Sequence, residues 1–252
     1  MLEQSQLSKP IDVWLKIDTG MHRLGFLPEL VNDVISRLQQ TNSVKDIRLM
    51  THLASANEPD NPMTLEQIQC FNQVVEDRNM EKTIANSAGI MAFPDAHVDW
   101  VRPGIMLYGV SPFSDSQGPQ QELKPVMTLQ SRLITVKKLK AGEPVGYGAT
   151  WRCPEDMFVG VVAAGYGDGY PRHAKSGTPV LVNGKRAELI GRASMDMLTV
   201  DLRSQAQAKT GDPVVLWGEG LPVEEIANHA DTIPYEVLCG VHKRLEFSYG
   251  EG

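Results

Sequence analysis

The hydrophobic pattern of this 252-residue chain changes period once, and that change constrains the fold more than any motif does. Through about residue 105, short apolar runs alternate with stretches whose apolar positions recur at helical spacing, the signature of parallel strands joined by helices. Val13 to Ile17 (V-W-L-K-I) reads as a strand, and Pro28 then opens a helix bearing Leu30, Val31, Val34, Ile35 and Leu38. Ile47 to Leu53 is the next strand. The second helix starts at Asn61-Pro62 and turns Leu65, Ile68, Phe71, Val74 and Val75 inward. Two shorter strands, Thr83 to Asn86 and Val98 to Arg102, flank a helical turn around Gly89 to Phe93. From Pro125 onward the period is two, with Met127, Leu129 and Leu133 on one side and Gln130 and Arg132 on the other.

Asn183-Gly184 lies between Val180-Leu181-Val182 and Arg186 to Ile190, the strongest short-range hairpin signal. Further strands are predicted at Met157 to Ala164, Met195 to Leu202 and Val214 to Trp217. One helix, Val223 to His229, is predicted behind Pro222 with Glu224 and Glu225 in its first turn. The expected architecture is α/β plus β: a partial (β/α)8 barrel, comprising the last four βα units, in residues 1–112, followed by an all-β C-terminal domain in residues 123–252. The stretch S-P-F-S-D-S-Q-G-P-Q-Q-E at 111–122 reads as the linker. The opening L-E-Q-S-Q-L-S reads as the tail of a helix, which suggests the back half of a longer protein.

Charge narrows the range of partners. With 24 Lys and Arg against 31 Asp and Glu, the net charge is −7, which argues against a nucleic acid or an anionic membrane as partner, since phosphate neutralisation needs clustered cations. A small-molecule substrate fits better. The longest apolar stretch, Phe158 to Tyr166, is far short of a membrane helix, and the N-terminus lacks a signal pattern, so a cytoplasmic protein is expected. Cys70, Cys153 and Cys239 are widely spaced with no C-x-x-C, so they read as buried small hydrophobes rather than a disulfide framework or a metal site.

In a (β/α)8 barrel the reacting residues sit at the C-terminal ends of the strands. The polar residues here follow that rule: Lys16, Asp18 and Arg23 close the first strand, His52 the second, Asn86 and Ser87 the third, and Arg102 the fourth. Two generic nucleotide motifs fail. In G-Y-G-D-G-Y (165–170), Tyr170 replaces the third glycine of a dinucleotide fingerprint and Pro171 follows. Gly184-Lys185 lacks both the first glycine and the Ser or Thr of a phosphate-binding loop.

Seven blocks stand in one order: K-I-D-T-G-M-H-R-L-G-F (16–26), T-H-L-A-S-A-N-E (51–58), N-S-A-G (86–89), V-R-P-G-I-M-L-Y-G (101–109), V-G-Y-G-A-T-W (145–151), A-A-G-Y-G-D-G-Y-P-R (163–172) and S-M-D-M (194–197). Together they resemble the bacterial alanine racemases across essentially the whole chain. The resemblance implies a pyridoxal-phosphate (PLP) enzyme that interconverts L- and D-alanine for peptidoglycan, acting as a homodimer whose active site joins one subunit's barrel to the other's β domain.

By that resemblance Tyr147 is one of two bases that exchange the Cα proton. A free phenol titrates near ~10, so it needs the network that His52 and Arg102 would supply. By the same resemblance Arg102 would face the cofactor's ring nitrogen, and Ser87, the amides of Gly104 and Ile105, and the hydroxyl of Tyr235 would hold the phosphate. Arg23 would meet the substrate carboxylate with Lys16 beside it, Met195 would offer its amide nearby, and Tyr166 would line the mouth of the site. The lysine matching Lys16 is often carbamylated in this family, although an ordinary strand-end lysine reads equally well. Asp196 reads either as an orienter of the Met195 loop or as a solvated turn residue. The family's cofactor-bearing lysine lies in a K-A-N-A-Y-G-H-type segment that no part of these residues resembles. The polypeptide is therefore expected to be a fragment, inactive alone. A non-catalytic dimerisation or binding module derived from a racemase is the alternative.

Overall fold

The computed structural model describes residues 8–250, which fall into two compact units. The first contains the chain through Leu107 together with Pro112–Asp115, and the second contains Tyr108–Ser111 and everything from Ser116.

The first unit is built on a parallel sheet of β1 (Ile11–Lys16), β2 (Val44–Met50) and β3 (Lys82–Thr83), in that order. Between the strands run α1 (Val31–Gln39), entered through a 3-10 turn at Pro28–Leu30, and α2 (Met63–Val75). Leu15, Ile17 and Leu49 point to the side on which α1 and α2 place Val31, Ile35, Ile68 and Phe71, and these residues form one buried cluster. Trp14, on the opposite side of β1, stays partly exposed, with the Trp100 ring edge-on at 6.3 Å and the Arg48 guanidinium 5.7 Å from its ring centre.

Four strands were expected, but the fourth is a single parallel bridge, Thr83 to Trp100, and the third is two residues long. The Asp99 carboxylate takes the Lys82 amide that a longer ladder would use, and Pro103 has no amide to extend the pairing. The helical turn expected near Gly89 is α3 (Ser87–Ala92), whose N-cap Asn86 accepts the Gly89 amide through its side chain.

In the second unit β4 (Leu129–Leu139), β7 (Met157–Val162), β8 (Pro179–Val182), β9 (Lys185–Leu189), β10 (Leu198–Asp201) and β11 (Pro213–Trp217) close into an antiparallel barrel of order β10-β7-β4-β11-β8-β9. Closure removes the sheet edges, and β4 reaches both neighbours because it is 11 residues long. Asn183 and Gly184 both adopt positive φ (50° and 72°), as a two-residue hairpin that follows strand twist requires. A separate hairpin joins β5 (Pro144–Val145) to β6 (Trp151–Arg152).

The unit is not all β. The helix predicted at Val223 is present as α4 (Val223–His229), and a second one, α5 (Pro234–Cys239), was not expected. Nor is all of 111–122 a linker. Ser111 and Gly118 are buried, and both amides donate to Glu224 Oε1, at 3.0 and 2.7 Å. The cysteines also depart from expectation, since only Cys153 is buried while Cys70 is half-buried and Cys239 exposed. Among the described residues no helix is long and apolar enough to cross a membrane.

Candidate active site

The end of β1 continues into a loop folded around Asp18. Its carboxylate accepts the amides of Gly20 (3.1 Å) and His22 (2.9 Å) and pairs with the His22 imidazole, and these contacts hold its pKa below the ordinary carboxylate value. The loop closes on itself through Asp18 N to Phe26 O and Phe26 N to Lys16 O, which sets Arg23 at its exposed tip.

His52 follows β2 and is half-buried. Burial is the largest cause of its lowered pKa, and the charges of Arg102, Lys16 and Arg23 push in the same direction. The charges of three other predicted site residues, Arg102, Lys16 and Arg23, thus bias this imidazole toward its neutral form. Arg102 is the most constrained of them. Its Nη1 donates to Thr83 Oγ1 (2.6 Å) and its Nη2 to the carbonyls of Thr51 (2.7 Å) and Ile84 (3.2 Å). Burial lowers its pKa, yet an arginine stays charged, and among the described residues no carboxylate pairs with it.

Ser87 opens α3 and is buried, and its hydroxyl accepts the Gly104 amide at 2.8 Å and the Met106 amide at 3.4 Å. Ile105, also buried, begins the 3-10 turn Ile105–Tyr108. Ser87 therefore meets the Gly104 and Met106 amides, with Ile105 between those two residues in the chain.

In the second unit, Tyr166 and Met195 are brought together by backbone pairing. Tyr166 N donates to Ser194 O (3.0 Å) and Gly167 N to Met195 O (2.8 Å). The approach demands glycine at 165, because a Cβ there would lie 2.3 Å from Ser194 O. The 165–168 turn is a short 3-10 piece that opens no helix. Asp196 is no free turn residue, since Arg244 donates to it through Nη2 (2.6 Å) and to the buried Asp168 through Nε (2.8 Å), tying both loops to the C-terminal segment. Arg172 stacks its guanidinium 6.0 Å from the Tyr166 ring centre.

Tyr147 tops the β5–β6 hairpin, 71% exposed, between Gly146 and Gly148, both at positive φ. The hairpin rests on Arg192, whose Nη1 would lie 3.6 Å from a Cβ placed at Gly148. Tyr235 sits apart on α5, half-exposed, with its pKa raised by partial burial.

Sequence reasoning missed several supports. Gln67, buried on α2, accepts the Ala54 amide through Oε1 (2.8 Å) and donates through Nε2 to His52 O (3.2 Å) and Thr19 Oγ1 (3.3 Å). Its signal was present as a polar residue inside the apolar stripe of Ile68, Phe71 and Val75. Thr51 and Thr83, which seat Arg102, and Arg244 carry no local signal.

Comparison with known proteins places this arrangement. Residues 1–112 match the family model described as the alanine racemase N-terminal domain, and residues 126–249 match the alanine racemase C-terminal domain. An alanine racemase of Nitrosococcus oceani is 56% identical over 246 residues, covering 97% of this chain and 69% of the relative. The crystal structure of the biosynthetic alanine racemase from Pseudomonas aeruginosa superposes with a TM-score of 0.93 at 46% identity, over 97% of this chain and 68% of that one. An alanine racemase from Bartonella henselae, solved with covalently bound pyridoxal phosphate, matches with a TM-score of 0.83 at 29% identity, over 94% of this chain and 66% of that one.

Proposed function

Since the chain belongs to the alanine racemase family, we propose that it acts in the interconversion of L- and D-alanine with PLP as cofactor, feeding peptidoglycan synthesis in the cytoplasm. The observation that carries the reading is Arg102, a half-buried guanidinium fixed on Thr51, Thr83 and Ile84 with no carboxylate partner among the described residues.

When bound, PLP supplies a conjugated electron sink that acidifies the substrate Cα. Arg102, always cationic, would face the ring nitrogen and leave it without a proton. That weakens the sink and favours prompt return of a proton to Cα over side reactions. Ser87, the amides of Gly104 and Ile105, and the Tyr235 hydroxyl would hold the phosphate. In support of this reading, the Gly104 and Met106 amides converge on the Ser87 oxygen, so N–H donors on either side of Ile105 already face one oxygen there.

Arg23 and the Met195 amide would hold the substrate carboxylate, with Lys16 beside Arg23 and Tyr166 at the mouth. Tyr147 would take and return the Cα proton on one face, and His52, biased toward its neutral form by burial and by the neighbouring cations, is suited to accept a hydrogen bond from its phenol. In this reading residues 1–112 are the cofactor domain and residues 123–252 the β domain, and a homodimer supplies Tyr147 of one subunit to the Arg102 and His52 of the other.

We also read the parallel sheet as one arc of a (β/α)8 barrel. In support, the sheet covers one face with helices and leaves Trp14 and Trp100 partly exposed on the other, whereas parallel sheets bury both. No lysine here matches the family's cofactor-bearing segment, so the 252-residue polypeptide alone is expected not to racemise alanine. The test is to assay D-alanine formation from L-alanine and PLP, with this chain alone and with it co-expressed alongside the N-terminal barrel half of the Nitrosococcus oceani relative. Turnover only in the second sample is expected. Turnover by the chain alone would overturn the inactivity, and none in either would count against the activity.

A further inference from the structure

The second unit contains a cavity of about 300 Å³ that the proposed reaction does not use. It lies between the end of β11, the start of α4, and the chain around Tyr108 and Pro119. Tyr108, Val110, Met127, Trp217 and Leu238 give it apolar and aromatic walls.

Two polar side chains on that wall keep an atom without a hydrogen-bond partner among the described residues, and of the two atoms only Trp217 Nε1 is itself buried. Glu224, 6% exposed, spends Oε1 on the amides of Ser111 and Gly118, and its Oε2 has no hydrogen-bond partner among the described residues. Trp217 is 1% exposed, and its Nε1 has no hydrogen-bond partner among the described residues. Burying an unpaired polar group costs free energy, and most such groups in folded proteins find a partner.

The two groups ask for different atoms. A carboxylate oxygen accepts only, so it calls for a donor, best a cationic one, while an indole N–H donates only and calls for an acceptor. Aromatic walls favour a cation as well. We propose that this cavity is a binding site for a small organic ammonium compound with an apolar body and an ether or hydroxyl oxygen. The ammonium goes to Glu224 Oε2, the oxygen to Trp217 Nε1, and the body against Tyr108, Met127 and Leu238. Leu238 shares α5 with Tyr235, so an occupant touches the helix that carries a predicted phosphate ligand.

A suitable probe is N,N-dimethyl-2-phenoxyethylamine, which has all three features and, as a tertiary amine, cannot condense with a cofactor aldehyde. The 252-residue chain, free of PLP, would be titrated with it while the Trp217 indole N–H resonance is followed by NMR. Saturable binding that shifts this resonance is expected. The neutral analogue 2-phenoxyethyl methyl ether and the Glu224→Gln variant should each weaken binding about tenfold or more. Filling the cavity with Leu238→Trp should abolish binding while leaving the circular dichroism spectrum intact, which covers the case in which Glu224→Gln fails to fold. Equal binding of the neutral analogue, unchanged binding to Leu238→Trp, or no saturable shift would each overturn the proposal.

Discussion

In the first unit, His52 and Arg102 are held by buried side chains, with Gln67 bonded to His52 O and Thr51 and Ile84 presenting carbonyls to the guanidinium. In the second, Tyr147 stands on a hairpin between two positive-φ glycines, and Met195 rides on a loop held by backbone pairing and the exposed Arg244 bridge. The first kind of support is rigid, because each broken bond leaves a buried polar atom unsatisfied. The second leaves the side chains exposed and costs the fold little when they are changed. A shared site built this way would have one half preorganised for charge and the other free to present a phenol.

The sharpest test of that contrast is Tyr147→Phe in the reconstituted enzyme. Loss of one acid–base group should lower kcat by about 10²- to 10⁴-fold, with the urea midpoint of the second unit unmoved. A falling midpoint would show that the hairpin is structural. Gly165→Ala should be next, because the added methyl meets the Ser194 and Met195 backbones rather than a yielding side chain. A loss of about 3 kcal/mol is expected from urea unfolding followed by tryptophan fluorescence.

Gln67→Ala should destabilise the first unit by about 2 kcal/mol, since it strands the Ala54 amide and the His52 carbonyl. An effect near zero would mean that water replaces the side chain without penalty.

The smallest expected effect is a pH dependence. His52 has a lower pKa folded than unfolded, where it titrates near ~6.5, so just below that pH the unfolded chain binds more protons than the folded one. Stability should therefore fall as pH drops below about 6.5 and level off once the folded imidazole is protonated, with no effect above that range. His52→Asn should flatten this slope while leaving the losses at lower pH that come from carboxylates such as Asp18.

Local patterns carried most of the elements. The Asn183-Gly184 hairpin and the helix at Val223–His229 stand where the residues place them, because turn chemistry and a proline start act within a few positions. The linker reading held only in part, since composition cannot report a distant partner. The amides of Ser111 and Gly118 donate to Glu224, 113 and 106 residues away along the chain. Likewise α5 is six residues long, too short to show a period.

The sequence by itself determined the change from βα alternation to strand alternation, and the order of the seven blocks that place the chain in its family. Only the tertiary structure decided that Arg102 is seated on Thr83, Thr51 and Ile84 with no carboxylate among the described residues, that Arg244 joins Asp168 to Asp196, and that Glu224 and the unpartnered Trp217 indole line one cavity. The physical reason is range. Propensity and period act over a few residues, whereas charge pairing and hydrogen-bond satisfaction are settled between groups that only the folded chain brings within three ångströms or so of each other.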